Sequence, residues 1–224
     1  MTEQSGKRVS GTTAGKKFAH LLERVEAYYR AKILEHGSVP SGVDWNSKES
    51  QELRFVQLLM VCDGTGHFSI NDLGCGYGQL YDYMKKRFTE FVYHGFDVSE
   101  AMIESALERH GGNSGATFRV AHQADARADY IVASGIFNVK LDATDAEWLT
   151  YILDTLSGMD EASEKGFAFN CLSRYSDPEL MRVDLYYADP CFLFDHCKRI
   201  FSRHVALLHD YGLYEFTILV RKRI

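Results

Sequence analysis

Apolar and polar residues follow each other along this chain in two rhythms, one typical of helices and one typical of strands. In the first part, apolar residues recur every three or four positions, which predicts a helix over 17–35 and a second helix that Ser47 can cap. From residue 68 onward, short apolar runs alternate with amphipathic segments. They predict strands at 68–74, 91–98, 116–121, 129–139, 166–173, 204–211 and 214–221, and helices at 79–88, 99–110 (capped by Ser99), 144–159 and 190–201.

This order of elements predicts the fold class. Strands that alternate with helices imply right-handed crossovers, and hence a parallel sheet with helices on both faces. The last two strands are joined by a tight turn at Gly212, which is too short for a crossover, so they are expected to pair antiparallel. The predicted fold is therefore α/β, with a mostly parallel sheet and an antiparallel end.

The same pattern divides the chain into three parts. Residues 1–16 are rich in Gly, Ser, Thr and Lys and predict a disordered tail. Residues 17–66 predict an N-terminal helical cap or lid. Residues 67–224 predict the core, with an aromatic-rich insertion at about 174–203 that is expected to lie on the substrate side.

Composition narrows the classes of function. The 224 residues carry a formal net charge of -6, and basic residues occur only in short groups such as 85–87, which argues against a nucleic-acid partner. Five cysteines occur without CxxC or zinc-finger spacing, so free thiols and no metal site are expected. The N-terminus lacks a signal-peptide core and no apolar run reaches about 20 residues, which predicts a cytoplasmic protein without a membrane partner.

The stretch INDLGCGYGQLYDYM carries the first candidate chemistry, because glycines stand at 74, 76 and 78 where a predicted strand turns into a helix. Glycine permits positive φ and lets a ligand approach the bare backbone. A P-loop would need Lys and Ser or Thr after the last glycine, and a nicotinamide-binding turn would need GxGxxG. This GxGxG pattern fits neither, so a ligand other than a pyrophosphate, or a simple tight turn, is predicted.

Asp97 is the second candidate, since it ends the next strand 23 residues after Gly74. A carboxylate at that edge of a parallel sheet can accept hydrogen bonds from both hydroxyls of a ribose. The alternative is that Asp97 only helps to cap the helix that begins near Ser99.

Three segments together resemble the class I S-adenosylmethionine-dependent methyltransferases. They are DLGCGYG at 72–78, GFDVS at 95–99 followed by Met102, and DYIVASG at 129–135, and the resemblance covers roughly residues 55 to 222. It implies a Rossmann-like sheet of seven strands, with an antiparallel last strand and helices on both faces. It also implies that S-adenosylmethionine is bound as methyl donor and released as S-adenosylhomocysteine.

The resemblance implies a role for several residues of the donor site. The glycine loop would pass under the methionine part, Asp97 would hold the ribose, Met102 would line the adenine pocket, and Ser134 and Gly135 would lie near the sulfonium. The full expected donor site comprises Arg54, Asp72, Gly74, Cys75, Gly76, Gly78, Asp97, Val98, Met102, Ser134 and Gly135.

Two features of this donor site stay open. Arg54 matches the methionine carboxylate bidentately, and a surface salt bridge is the equal alternative. Many family members carry an acidic residue after the third strand that contacts adenine. Here His122 or Gln123 falls in that place and Asp125 follows later, so the adenine contact is not assigned.

The acceptor side should come from the N-terminal helix and the insertion. His36 is a candidate base because imidazole titrates near neutral pH, although it could merely end its helix before Gly37. Tyr29 and Tyr187 offer a flat face and a hydroxyl that suit a polar ring, with packing inside a lid as the alternative. These three residues are the catalytic candidates.

The expected function is methyl transfer to a small polar molecule, such as a natural-product intermediate, sugar or metabolite, with oxygen as the favoured acceptor atom. A protein or RNA acceptor, or a non-catalytic module that binds the cofactor or a partner, are the alternatives. The sequence leaves the oligomeric state open, a homodimer included.

Overall fold

The computed structural model describes residues 17–39, 42, 47–62, 66–112 and 115–222, and the predicted tail at 1–16 lies outside them. In chain order, the helices and strands of the described residues are α1 (Ala19–His36), α2 (Lys48–Leu59), β1 (Phe68–Leu73), α3 (Gln79–Arg87), β2 (Phe91–Asp97), α4 (Glu100–His110), β3 (Ala116–Val120), β4 (Ala128–Ala133), α5 (Asp145–Ala162), β5 (Ser163–Leu172), a short 3-10 helix (Pro178–Leu180), α6 (Pro190–Ile200), β6 (His204–Leu208) and β7 (Glu215–Arg221).

The seven strands form one sheet in the order β3-β2-β1-β4-β5-β7-β6. Strands β1 to β5 are mutually parallel, whereas β7 pairs antiparallel with both β5 and β6. The predicted α/β sheet with an antiparallel last strand is therefore confirmed. The strand order reverses between β1 and β4, and ligands of such sheets bind in the crevice that this reversal leaves at the carboxyl ends.

The predicted strand at 129–139 is wrong in its second half, because β4 ends at Ala133. Gly135 adopts φ +77°, and the backbone N–H of Asn138 donates to the Gly135 carbonyl at 3.2 Å, so the chain turns instead of extending. Phe137 and Val139 are nevertheless buried in this turn. A run of buried apolar residues does not by itself distinguish a strand from a buried turn.

The two predicted serine caps have different outcomes. The Ser47 hydroxyl accepts a hydrogen bond from the Ser50 N–H at 3.1 Å, which confirms it as the cap of α2. Ser99 occupies the cap position of α4, but its side chain makes no capping hydrogen bond. The Ser99 backbone N–H donates instead to the Asp97 carboxylate at 2.9 Å. At the start of α4, the acceptor of a backbone N–H is therefore the Asp97 carboxylate and not the Ser99 hydroxyl.

Hydrophobic packing covers both faces of the sheet. On one face α5 and α6 bury large side chains such as Trp148 and Leu193 in the same cluster as Phe167 of β5. On the other face α2, α3 and α4 pack against the strands, and Leu58 of α2 is fully buried there. Helix α1 joins the first cluster through Phe18 and Leu21 at its start and contacts Met102 of α4 through Ile33 near its end. The division of the chain at residue 66 stays a prediction.

Candidate active site

The glycine loop between β1 and α3 has a backbone that side chains would not tolerate. Gly74, Gly76 and Gly78 all adopt positive φ, at +77°, +52° and +82°. A Cβ on Gly74 would lie 2.1 Å from Ile136 Cγ2, and one on Gly78 would lie 2.8 Å from His110 Cδ2. Backbone conformation favours glycine at all three positions, and neighbouring atoms also exclude a side chain at Gly74 and Gly78. The loop therefore leaves its backbone bare at the sheet edge.

Asp97 holds this loop against the end of β2. Its Oδ2 accepts the Gly76 N–H and its Oδ1 accepts the Ser99 N–H, both at 2.9 Å. Burial raises the pKa of Asp97, while the backbone N–H donors act in the opposite direction. Each carboxylate oxygen has a second lone pair, so the group can still accept hydrogen bonds from a ligand.

Asp72 is a second buried carboxylate beneath the same loop. Tyr93 Oη donates to Asp72 Oδ2, whereas Asp72 Oδ1 has no hydrogen-bond partner among the described residues. Burial raises the pKa of Asp72 to about 7, the neighbouring charge of Asp97 adds to this, and the Tyr93 hydrogen bond opposes it. Sequence reasoning missed Tyr93. The signal was its position two residues before Gly95, which pairs with Asp72 in the sheet register.

A cavity lies over the glycine loop, with about 880 Å³ of empty space that is partly open to solvent. We call it the glycine-loop cavity. Every residue of the predicted donor site lines it except Arg54 and Gly78. The lining residues are Leu22, Val25, Tyr29, Gln51, Phe55, Asp72, Leu73, Gly74, Cys75, Gly76, Tyr77, Gln79, Leu80, Asp97, Val98, Met102, Ala121, His122, Ser134, Gly135, Ile136 and Tyr151.

Among the candidate residues that follow β3, His122 faces this cavity. It lines the cavity, and its Nε2 atom is buried without a hydrogen-bond partner among the described residues. Burial lowers the pKa of His122, which favours a neutral imidazole. Asp125 instead pairs with Arg119 at the surface, and Gln123 lines a different cavity near Gly158. Of the three residues open at the sequence level, only His122 is brought to the glycine-loop cavity.

A second cavity adjoins the first and has about 890 Å³ of empty space, again partly open to solvent. We call it the tyrosine cavity. The two cavities share Tyr29 and Gly135. The residues that line the tyrosine cavity are Tyr29, Arg54, Gly135, Asn138, Val139, Leu172, Ser176, Leu180, Arg182, Leu185, Tyr187, Tyr214 and Glu215.

The structure places Arg54 away from the glycine-loop cavity. Its Nε and Nη2 atoms donate to the two carboxylate oxygens of Glu215 at 2.8 and 2.7 Å, and both side chains are buried. The alternative of a surface salt bridge was therefore correct about pairing and wrong about burial. The sequence could not reveal this pair, because the partners are 161 residues apart.

The three catalytic candidates have different positions. Tyr29 lies at the junction of the two cavities, and Tyr187 lines the tyrosine cavity, where its hydroxyl accepts the Arg182 N–H at 2.9 Å. His36 lies in the last turn of α1 with Nε2 3.7 Å from the Glu35 carboxylate, and it lines neither cavity. The structure thus brings the two tyrosines to the site and leaves His36 outside it.

Within the described ranges, every helix is too short or too polar to span a bilayer. No group of three or more His, Cys, Asp or Glu side chains in the same ranges could hold a metal ion.

Comparison with known sequences identifies similar proteins. A family model described as "Methyltransferase domain" matches residues 71–157, which include the glycine loop, Asp97 and Gly135. Rv1506c of Mycobacterium tuberculosis (strain ATCC 25618 / H37Rv), whose name assigns it to the methyltransferases, is 56% identical over 164 residues. The match spans 73% of this chain and 99% of that protein.

Solved structures show the same fold at low sequence identity. Magnesium protoporphyrin IX methyltransferase from Synechocystis PCC 6803, with bound S-adenosylhomocysteine, superposes with a TM-score of 0.64 and 14% identity over 90% of this chain and 99% of its own. DhpI in its complex with SAM and HEP gives 0.63 and 14% over 89% and 96%. The N-methyltransferase NodS from Bradyrhizobium japonicum WM9 gives 0.60 and 13% over 88% and 97%.

Proposed function

The chain belongs to the class I S-adenosylmethionine-dependent methyltransferases, and from this premise we propose that it transfers a methyl group to an oxygen atom of a small polar molecule. The observation that carries the proposal is the junction at Gly135 and Tyr29, where the glycine-loop cavity meets the tyrosine cavity. Methyl transfer needs a donor and an acceptor aligned on either side of one methyl group. Two cavities that share a wall supply that arrangement.

The glycine-loop cavity fits the donor chemically. Its glycine backbone, at Gly74 and Gly76, lets a ligand approach the main chain closely. Two buried polar atoms, Asp72 Oδ1 and Ser134 Oγ, line it without a hydrogen-bond partner among the described residues. In the proposed complex Asp97 accepts the ribose hydroxyls, Asp72 faces the ammonium group, and His122 lies on the adenine side with Met102.

The bound donor supplies a methyl group that is already activated by the positive charge on sulfur. The protein's residues then have to align the acceptor and exclude water, and alignment alone contributes about 7–11 kcal/mol to such reactions. Tyr29 is suited to orienting the acceptor hydroxyl, since it contacts both cavities. Tyr29 is therefore proposed to orient the acceptor through its hydroxyl group.

The tyrosine cavity favours an uncharged acceptor. Its tyrosines, Tyr29, Tyr187 and Tyr214, offer flat apolar faces with hydroxyl groups at their edges. Arg54 is neutralised by Glu215, and Arg182 is neutralised by Asp184, which it contacts through Nε at 3.1 Å. With its described charges paired in this way, the cavity offers most to a neutral molecule rich in hydroxyl groups, such as a sugar.

A methyl-transfer assay with labelled donor tests this proposal. Three panels of monosaccharides would be compared: neutral hexoses, the matching uronic acids, and the matching amino sugars. We expect at least one neutral member to be methylated with kcat/KM about tenfold or more above its charged counterparts, which corresponds to about 1.4 kcal/mol. Transfer confined to charged sugars, or to a protein or RNA pool assayed in parallel, would contradict the proposal.

A further inference from the structure

A chain of buried hydrogen bonds runs from helix α2 through the sheet to Gly135. Glu215, at the start of β7, is 1% exposed and accepts two hydrogen bonds from Arg54. It also accepts one from the Asn170 Nδ2 atom of β5 at 2.6 Å. Asn170 Oδ1 in turn accepts the Gly135 backbone N–H at 2.7 Å. One carboxylate thus connects a helix, two strands and the turn after β4.

The chemistry of the two ends fixes the orientation of the Asn170 amide. The Glu215 carboxylate can only accept, and the Gly135 N–H can only donate. Only one orientation of the amide satisfies both, with nitrogen toward Glu215 and oxygen toward Gly135. The Arg54 guanidinium pairs with the buried Glu215 carboxylate and compensates its negative charge.

The other end of the turn is held by the same group of residues. Asn138 Nδ2 lies 3.5 Å from Glu215 Oε1, and Asn138 Oδ1 accepts the Leu172 N–H at 3.1 Å. The Asn138 N–H donates to the Gly135 carbonyl at 3.2 Å. Both polar groups of the Gly135 backbone are therefore engaged, at a residue whose φ of +77° already restricts it.

Stability alone does not account for such an arrangement. Asn170 is fully buried in β5, where its neighbours Phe169 and Cys171 are also fully buried. Replacing a buried ion pair by packed apolar residues is often neutral or stabilising, so the buried polar chain needs another role. Its end point, Gly135, lies in the wall shared by the two cavities.

We propose that Asn170 and Glu215 are positioning residues that set the peptide unit at Gly135, and through it the sulfur end of the bound donor against the acceptor. This inference rests on the proposed function, because it assumes that the glycine-loop cavity binds S-adenosylmethionine. In this inference Arg54 holds Glu215 through two hydrogen bonds and does not bind the donor directly.

Calorimetry with two ligands separates this role from a purely structural one. In the proposed complex S-adenosylhomocysteine extends past Gly135, whereas adenosine occupies only the half of the site near Asp97 and Met102. For Asn170→Ala we expect S-adenosylhomocysteine to bind about tenfold more weakly, the scale of losing a buried hydrogen-bond partner, and adenosine to change less than twofold. Cys171→Ala is the matched control, since it truncates a fully buried neighbour of Asn170 that is not part of the hydrogen-bond network. It should lower the thermal midpoint and leave the ratio of the two affinities unchanged.

A second variant tests the same inference in case Asn170→Ala does not fold. Arg54→Met combined with Glu215→Leu replaces the ion pair by apolar side chains, so the fold should survive. The Nδ2 atoms of Asn170 and Asn138 then lose their shared acceptor, and the turn at Gly135 is held less firmly. The same selective loss of S-adenosylhomocysteine affinity is expected. Unchanged affinity in both variants, or equal weakening of both ligands, would overturn the inference and leave the proposed function standing. Failure of the wild-type protein to bind S-adenosylhomocysteine would instead overturn the proposed function, and this inference with it.

Discussion

The Asp97 carboxylate accepts the backbone N–H of Gly76 at 2.9 Å, and so joins the two sequence signals of the site, which lie 21 residues apart, in one hydrogen bond. The glycine loop and Asp97 therefore belong to one structural unit of the candidate site. Asp97 shapes the loop from one side and remains able to accept hydrogen bonds from a ribose on the other.

Asp97→Ala is expected to weaken binding of S-adenosylhomocysteine by about 1–3 kcal/mol, because it removes the proposed acceptor of the ribose hydroxyls and the acceptor of two backbone N–H groups. Calorimetric titration measures the change. Asp125→Ala is a suitable control, since that carboxylate lies shortly after the end of β3 but pairs with Arg119 at the surface. Equal affinity in wild type and Asp97→Ala would refute the ribose role.

Gly74→Ala should lower the free energy of unfolding by about 2 kcal/mol or more. Positive φ at a residue with a side chain costs on the order of 1–3 kcal/mol, and the added Cβ would also meet Ile136 at 2.1 Å. Gly112→Ala provides the comparison, because nothing lies within 4 Å of its added Cβ. Urea unfolding curves report both values, and similar losses for the two variants would show that the loop tolerates side chains.

The buried Asp72 carboxyl predicts a pH dependence of stability. Its pKa is raised to about 7 from 3.8. At pH values between these two, the native state holds a proton that the unfolded chain has released. Stability contributed by this group is present at low pH and declines as the pH rises toward 7. For Asp72→Asn we expect that decline to vanish, so that the variant gains roughly 2–3 kcal/mol relative to wild type between pH 5 and pH 7.

Tyr93→Phe offers an independent check on the same group. The Tyr93 hydrogen bond lowers the pKa of Asp72, so its removal should extend the decline in stability to higher pH. Chemical unfolding at a series of pH values would follow all three proteins. Parallel curves for wild type and Asp72→Asn would contradict the raised pKa.

Tyr29→Phe should leave donor affinity within about twofold and reduce kcat/KM for the acceptor about tenfold or more, since a hydroxyl that orients the substrate is lost. His36→Ala should leave both within about twofold, because His36 lines neither cavity. Steady-state methyl transfer with the best acceptor of the sugar panels measures each. A large loss in His36→Ala with Tyr29→Phe unaffected would reverse these assignments.

Local features of this protein were predictable from the sequence, whereas long-range pairs were not. The glycine loop, Asp97 and the Ser47 cap depend on residues close to one another along the chain or on a register set by adjacent strands. The Arg54–Glu215 pair joins residues 161 positions apart, and no local pattern marks it. The turn at Gly135 was hidden within an apolar run, because buried turns and buried strands use the same residues.

The most direct test of donor binding at the glycine loop is calorimetric titration of the purified protein with S-adenosylhomocysteine, with NAD titrated in parallel. We expect a dissociation constant on the order of micromolar for S-adenosylhomocysteine, typical of the range in which enzymes bind their substrates, and no binding of NAD. Binding of NAD alone, or of neither ligand, would contradict this expectation.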